Sequence, residues 1–572
     1  MELEGIIEVA AGRRPADLLL ANGHIVNVLS NEVYPADLAI AGGRIAGIGQ
    51  YEAEEVVDLK GHYICPGFID AHVHIESSML SIPEFAKVVV AHGTTTVITD
   101  PHELANVLGA EGIRFMLSSS KYCPIHVYVM LSTCVPASHL ESSGASLTAV
   151  DLLPFLSDEW VLGMAEVMNF PGVIANDDEV IDKIRIAGDA NVDGHAPGLT
   201  GRDLITYVAS GIQTDHESTT IEEAREKLRL GLAIMIREGS TARNLDALLP
   251  LITPATSDRF MFVADDKDVD DLIEEGHIDC MVRRAIAAGI DPPTAIRIAS
   301  YNAARHFGLL QVGAICPGYH AVLTILEDLE KCRVTQVYQA GELVAEDGKC
   351  IYEPPAHRRE PIIRSTINVP WLERENFAVP CGDHAAPRVH VIEMIPDQLR
   401  TNRSIETMPV QDGKVLADPS RDIAKIAVIE RHQASGNIGL GFVRGLGLKN
   451  GAIASSVAHD SHNLIVAGTN DDDMYAAAVQ LVRIRGGFSV AAEGKILADC
   501  PLPIAGLMSN QPAEELRKQL RTVRAAAAGI GCPLRRPFMA LSFLSLSVIG
   551  SLKVTDQGLI DVDRFERVDV LA

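Results

Sequence analysis

The period of apolar and polar positions changes three times along the chain. Over 16–28 and 36–48 the apolar residues form short β-rich stretches, separated by Ser30-Asn31-Glu32. Gly42-Gly43 interrupts the second stretch, which is a hairpin signal. A similar texture returns at 321–326 and 334–344, followed by Asp347-Gly348. The two flanks are therefore expected to build one small β-sandwich domain, contributed by residues 1–65 and 309–365.

Between them, residues 66–308 alternate strand-like with helix-like segments. Strands are expected at 68–74, 95–99, 126–131, 161–167, 190–194, 212–216, 233–237 and 259–264, with amphipathic pieces such as 82–91 and 221–230 intervening. The fifth strand has the weakest pattern. Eight strands with helices between them in roughly 240 residues match a closed (β/α)8 barrel of α/β class. An open doubly wound sheet is the competing arrangement, but no glycine-rich dinucleotide or P-loop fingerprint supports it. Residues 370–572 hold further strands and helices, for example at 423–429, 463–467, 474–486 and 513–529, and predict an additional C-terminal α/β (α+β) domain. The stretch 353–376 before it is rich in Pro and Arg, as a domain boundary should be.

Length agrees with several domains, because 572 residues exceed the ~250–300 at which one core stops growing. The 49 basic and 76 acidic residues leave a net charge of −27, which repels phosphate backbones and excludes nucleic acid as a partner. The ten cysteines contain no C-x2-C pair, so reduced thiols are expected rather than a disulfide framework or thiolate zinc site. Met1-Glu2-Leu3-Glu4 is acidic where a signal peptide is basic. The longest apolar-leaning run, 538–552, is broken by serines and Gly550 and falls short of the ~20 residues of a membrane span. A soluble cytoplasmic protein without a membrane partner is expected.

The strongest chemical signal is Pro66-Gly67-Phe68-Ile69-Asp70-Ala71-His72-Val73-His74. Residues two apart on a strand share a face, so His72 and His74 can hold one metal through imidazole nitrogen. Further polar residues end the later strands: Glu166, His195, His216 and Asp265. In a barrel these ends converge on one mouth. Each alone is an ordinary strand terminus, but six in ordered series are a site.

These stretches resemble the adenine deaminase family of the amidohydrolase superfamily. The resemblance spans nearly the whole chain. H-x-H marks only the superfamily; Asp100-Pro101-His102-Glu103 and His459-Asp460-Ser461-His462 point to the family. It implies a binuclear divalent metal centre, with Mn2+ or Fe2+ ahead of Zn2+. His72 and His74 would hold one metal and His195 and His216 the other, with Glu166 bridging where many relatives carry a carboxylated lysine. Asp265 would complete the site, with Asp266 as its rival. The implied reaction is hydrolysis of adenine to hypoxanthine and ammonia, by metal-activated hydroxide attacking C6. Asp265 is the expected general base and then acid. Glu76 and His102, just past the first two strands, are the expected substrate-binding and catalytic partners, Glu76 delivering a proton to the purine and His102 polarising the water. Either is equally readable as a hydrogen-bonded loop residue. His459-Asp460-Ser461-His462 reads as a helix-capping or turn cluster in preference to a wall of the pocket.

A zinc nucleoside deaminase is excluded, since no P-C-x-x-C follows His74-Ile75-Glu76. The remaining rivals are a cyclic amidohydrolase of hydantoinase or dihydroorotase type and a non-catalytic barrel scaffold. A homodimer is the default assembly.

Overall fold

A computed structural model describes residues 3–355, 366–382, 384–395 and 398–572; residues 356–365 of the expected linker lie outside the described residues. Eight parallel strands follow one another in order: β1 (Phe68–Val73), β2 (Thr94–Thr99), β3 (His126–Leu131), β4 (Val161–Val167), β5 (Asn191–Gly194), β6 (Thr214–Asp215), β7 (Ala233–Arg237) and β8 (Phe260–Val263). β1–β5 form one ladder and β6–β8 another. Isolated bonds join the two ladders at both seams. Gln213 N donates to Val192 O at 3.0 Å, and Asp265 N donates to His72 O at 3.1 Å. Ile69, Ala71, Ile98, Met130, Ala165, Met235 and Val263 fill the barrel, and Ala303, Ala304 and Phe307 pack beneath them. The lumen is thus a packed core, as barrels of this size require.

Two irregularities in the ladders sit where the chemistry is. The β1–β2 register slips between Asp70 and Val73, and the β4–β5 register slips between Met164 and Val167. Such bulges re-aim a side chain without ending the strand. Asp70 pairs with His277 at 2.9 Å, whereas His72, two residues on, turns toward the mouth.

The flanking β stretches meet in space. Strand Leu323–Leu326 pairs antiparallel with Tyr63–Pro66, in register Leu323↔Pro66. Their seven-stranded sheet packs on a four-stranded sheet through Leu18, Leu20, Ile25, Ile40 and Ile64. Gly42 and Gly43 both take positive φ, 56° and 74°, as the tight hairpin at that point demands.

The third region is built on an eight-stranded sheet. Its strand Ile423–Ile429 is buried on both faces: Ala427 and Ile429 pack toward helix Asp471–Arg483, while Ile426 and Val428 pack in the cluster that includes helix Ala513–Gly529. The period of two along the strand sorts these faces. The helix expected within 474–486 begins earlier, because the Asn470 side chain accepts from Asp473 N and caps it. This region docks on the barrel through Asn463 Nδ2 to Ser142 O at 2.7 Å and Thr555 Oγ1 to Leu140 O at 2.6 Å. Ion pairs from Arg517 and Arg524 to Asp270 and Asp268, both at 2.9 Å, add to the contact. The ten cysteines are all free thiols.

Candidate metal centre

All six strand-end residues meet at the C-terminal mouth, and each is at least 95% buried: His72 and His216 at 2% exposure, Glu166 at 2%, Asp265 at 3%, His74 at 4% and His195 at 5%. His72 Nε2 and His74 Nε2 converge to 3.2 Å. Asp265 Oδ1 lies 3.5 and 3.2 Å from these nitrogens. Glu166 reaches across the site: Oε1 stands 3.4 Å from His74 Nε2, and Oε2 stands 2.6 Å from His195 Nδ1 and 3.3 Å from His216 Nε2. His72 also stacks on His216 with ring centroids 4.3 Å apart. The donor atoms therefore form overlapping groups, His72–His216–Asp265 and Glu166–His195–His216 among them, each close enough to share one cation.

Buried carboxylates and imidazoles packed this tightly, with no apolar filling, are the donor set that a divalent metal takes. Their charges are tuned to match. Burial pushes Glu166 up, but His195 and His216 more than offset it and leave the carboxyl well below its ordinary value. Asp265 is held down in the same way by Arg237, against its burial.

Asp265 and Asp266 now separate. Asp265, in the left-handed region at φ 55°, turns its carboxylate among the imidazoles and toward Arg237 Nη1 at 2.9 Å. Asp266 accepts from Ser77 Oγ at 2.5 Å. A left-handed non-glycine residue is strained, and such strain gathers at sites.

His102 lines the metal pocket, whereas Glu76 lines an adjoining cavity with Ser77, Met79 and His459. Glu76 Oε1 accepts from Leu104 N at 3.2 Å, and Oε2 is buried without a partner. Burial and then the neighbouring Glu103 push its carboxyl up to about 8. His102 Nδ1 faces Asp100 Oδ2 at 3.0 Å, which fixes the ring, and lies 3.7 Å from Glu166 Oε1.

Sequence reasoning missed several members. Arg237 ends β7 and clamps Glu217 through Nη1 and Nη2 at 2.5 and 3.1 Å. Burial raises Glu217, but Arg237 and the imidazoles bring it below its ordinary value. The rule that found Glu166 would have found Arg237, which ends an apolar strand in the same way. The reading of His459-Asp460-Ser461-His462 as a turn cluster holds, with His462 N donating to Ala458 O at 2.7 Å, but the turn also walls this pocket through His459 and Asp460. It lies between strands Ala452–Ser455 and Leu464–Gly468 of the third region, and Asp460 Oδ1 sits 3.7 Å from His102 Nε2. His459 Nδ1 lies 3.5 Å from Glu103. Ser461 Oγ donates to Glu141 at 2.7 Å. The apolar run at 538–552 is buried as expected, and its Phe543, Leu546 and Ile549 close the same pocket.

Comparison with known proteins gives consistent results. A family described as "Amidohydrolase family" matches residues 63–344, and one described as "Adenine deaminase C-terminal domain" matches residues 398–566. The chain is 48% identical to an adenine deaminase of Desulfatibacillum aliphaticivorans over 99% of each chain. It is 46% identical to one of Dehalococcoides mccartyi and 45% identical to adenine deaminase 2 of Carboxydothermus hydrogenoformans, again over 99% of each chain.

Proposed function

The chain belongs to the adenine deaminase family, and on that footing we propose that it hydrolyses adenine with water to hypoxanthine and ammonia. The observation that carries this reading is the convergence of four imidazoles, Glu166 and Asp265 at one buried point. His72, His74 and Asp265 would hold one divalent cation and His195 and His216 a second, with Glu166 between them. Such a pair supplies Lewis acidity that makes water nucleophilic near neutral pH. Imidazole and carboxylate donors suit Mn2+ and Fe2+, our first choices, as well as Zn2+.

The chain's own residues do the rest. Water adds at C6 of adenine, and Asp265 takes its proton and passes it to the exocyclic nitrogen, which leaves as ammonia. Arg237 holds Asp265 Oδ2, so Oδ1 is the oxygen turned to the reacting atoms. Glu76 delivers a proton to the purine ring through its unpartnered Oε2, and the second water proton, released from the C6 hydroxyl as the carbonyl forms, replaces it. His102, oriented by Asp100, polarises the attacking water. The Asp460 and Phe543 walls exclude solvent from the pocket.

We place the reaction in purine salvage in the cytoplasm, carried out by a homodimer. No helix among the described residues is long and apolar enough to cross a membrane. The cyclic-amide alternative is not favoured, since the relatives matched over the full chain are adenine deaminases. A purine and hydantoin panel on metal-reconstituted enzyme tests the reading. Ammonia from adenine is expected, and ring opening of a hydantoin without ammonia from adenine would overturn it.

A further inference from the structure

A cluster of arginines outside the metal centre lies at the opposite end of the barrel. A cavity of about 440 Å³ is lined by Arg259, Arg297 and Arg305, with Tyr301, His306 and Asp258. It opens at the N-terminal ends of the strands, because Ala233 and Met261 on its wall are at the starts of β7 and β8. The metal centre takes the other ends of those strands.

Three guanidiniums on one cavity are unexpected in a chain with 76 acidic and 49 basic residues. Many of its arginines are held in ion pairs, such as those of Arg517, Arg524 and Arg536 with Asp268, Asp270 and Asp271. Among the described residues, by contrast, Arg259, Arg297 and Arg305 have no carboxylate within ion-pair distance. Arg297 spends one nitrogen on Ser257 Oγ at 2.8 Å, while its Nε is buried without a partner. A buried unpaired donor is costly unless something else accepts from it. Arg259 bonds only the Gly231 carbonyl, and Arg305 is exposed. The positive field reaches His306, which burial and then Arg259 hold down to about 4, so its ring is neutral.

We propose that this cavity is a binding site for a phosphate group carried by a small molecule, gripped by Arg259, Arg297 and Arg305. Planar guanidinium forks match phosphate oxygens in pairs. Three of them suit a dianion with three peripheral oxygens better than a single carboxylate. The cavity falls within the ~300–1,000 Å³ of small-molecule sites, which leaves room for a sugar or nucleoside beside the phosphate. The Tyr301 ring supplies a flat apolar surface for it.

Equilibrium dialysis of the full-length, metal-loaded enzyme at ~0.15 M ionic strength tests this with three probes: inorganic phosphate, ribose 5-phosphate and AMP. One equivalent per chain of at least one probe is expected, and hypoxanthine, which occupies the metal mouth, should not displace it. Arg297→Gln and Arg305→Gln should each weaken binding by about 10–100-fold, the effect of one charge-assisted contact, with adenine turnover near wild type. Among the described residues the Arg305 side chain makes no hydrogen bond or ion pair that its loss would break, so Arg305→Gln remains decisive if Arg297→Gln unfolds. Tighter binding of AMP or ribose 5-phosphate than of phosphate is expected; equal affinity would assign free phosphate and overturn the carried-phosphate reading. The proposal is overturned if no probe saturates, if binding survives both substitutions, or if hypoxanthine displaces it.

Discussion

The two ends of the barrel treat charge in opposite ways. At the mouth, Glu166 and Asp265 lie 2–3% exposed and face imidazoles and Arg237. At the base, three arginines line an open cavity without a carboxylate partner. Burial explains the difference. A charge removed from water must be compensated on the spot, whereas the exposed guanidiniums of Arg259 and Arg305 keep their hydration and can wait for a ligand, and only half-buried Arg297 has an unpartnered buried nitrogen. The mouth is thus pre-organised around its own charges, and the strand-end residues there carry the chemistry.

Substitutions at the two ends should separate accordingly. Glu166→Gln and His72→Ala should lower adenine turnover by more than about 10³-fold, beyond the ~10–100-fold typical of a residue that only supports a ligand. Steady-state ammonia release measures it, and wild-type turnover in either variant would remove the ligand assignment. Arg237→Met strands the buried carboxylates of Glu217 and Asp265, and should cost about 3–5 kcal/mol of stability as well as activity. Denaturant midpoints measure the loss, and Arg237→Lys should recover part of it. At the base, Asn302 donates to Ser257 O at 2.7 Å and Phe260 O at 2.8 Å. Asn302→Ala should cost about 1–3 kcal/mol with kcat retained, and a collapse of kcat at normal stability would break the contrast between the ends.

The remaining effect concerns pH. Burial and then Asp460 push Glu141 up to about 8, against an unfolded value near ~4.3. The folded state holds the extra proton between these values. Its stabilising effect is complete below the unfolded value and is lost as pH rises through about 8. Glu141→Gln cannot ionise, so its Tm should fall less than wild type from about pH 5 to 8. Parallel Tm profiles would contradict the assignment.

Much of this architecture is legible in the residues themselves. Six of the eight strands announce themselves by apolar runs, and the polar residues that end the strands form the candidate site. What stays hidden depends on contacts distant in sequence. β6 shrinks to Thr214–Asp215 because side-chain bonds such as Thr214 Oγ1 to Asp193, at 2.9 Å, replace ladder pairing. Asp265 and Asp266 look alike in pattern and part only through a left-handed backbone. Asp460 reaches His102 because a loop of the third region docks more than 350 positions away, and no local periodicity records that. Arg237 is accessible to the strand-end rule, but a cation has no evident place among metal ligands until Glu217 and Asp265 are seen beside it.

Anomalous scattering from crystals of manganese-loaded protein tests the central claim most directly. Two peaks per chain are predicted, both within ligating distance of the Glu166 carboxylate, one toward His72 and His74 and the other toward His195 and His216. A fully loaded, active crystal with no peak beside Glu166 would contradict the account.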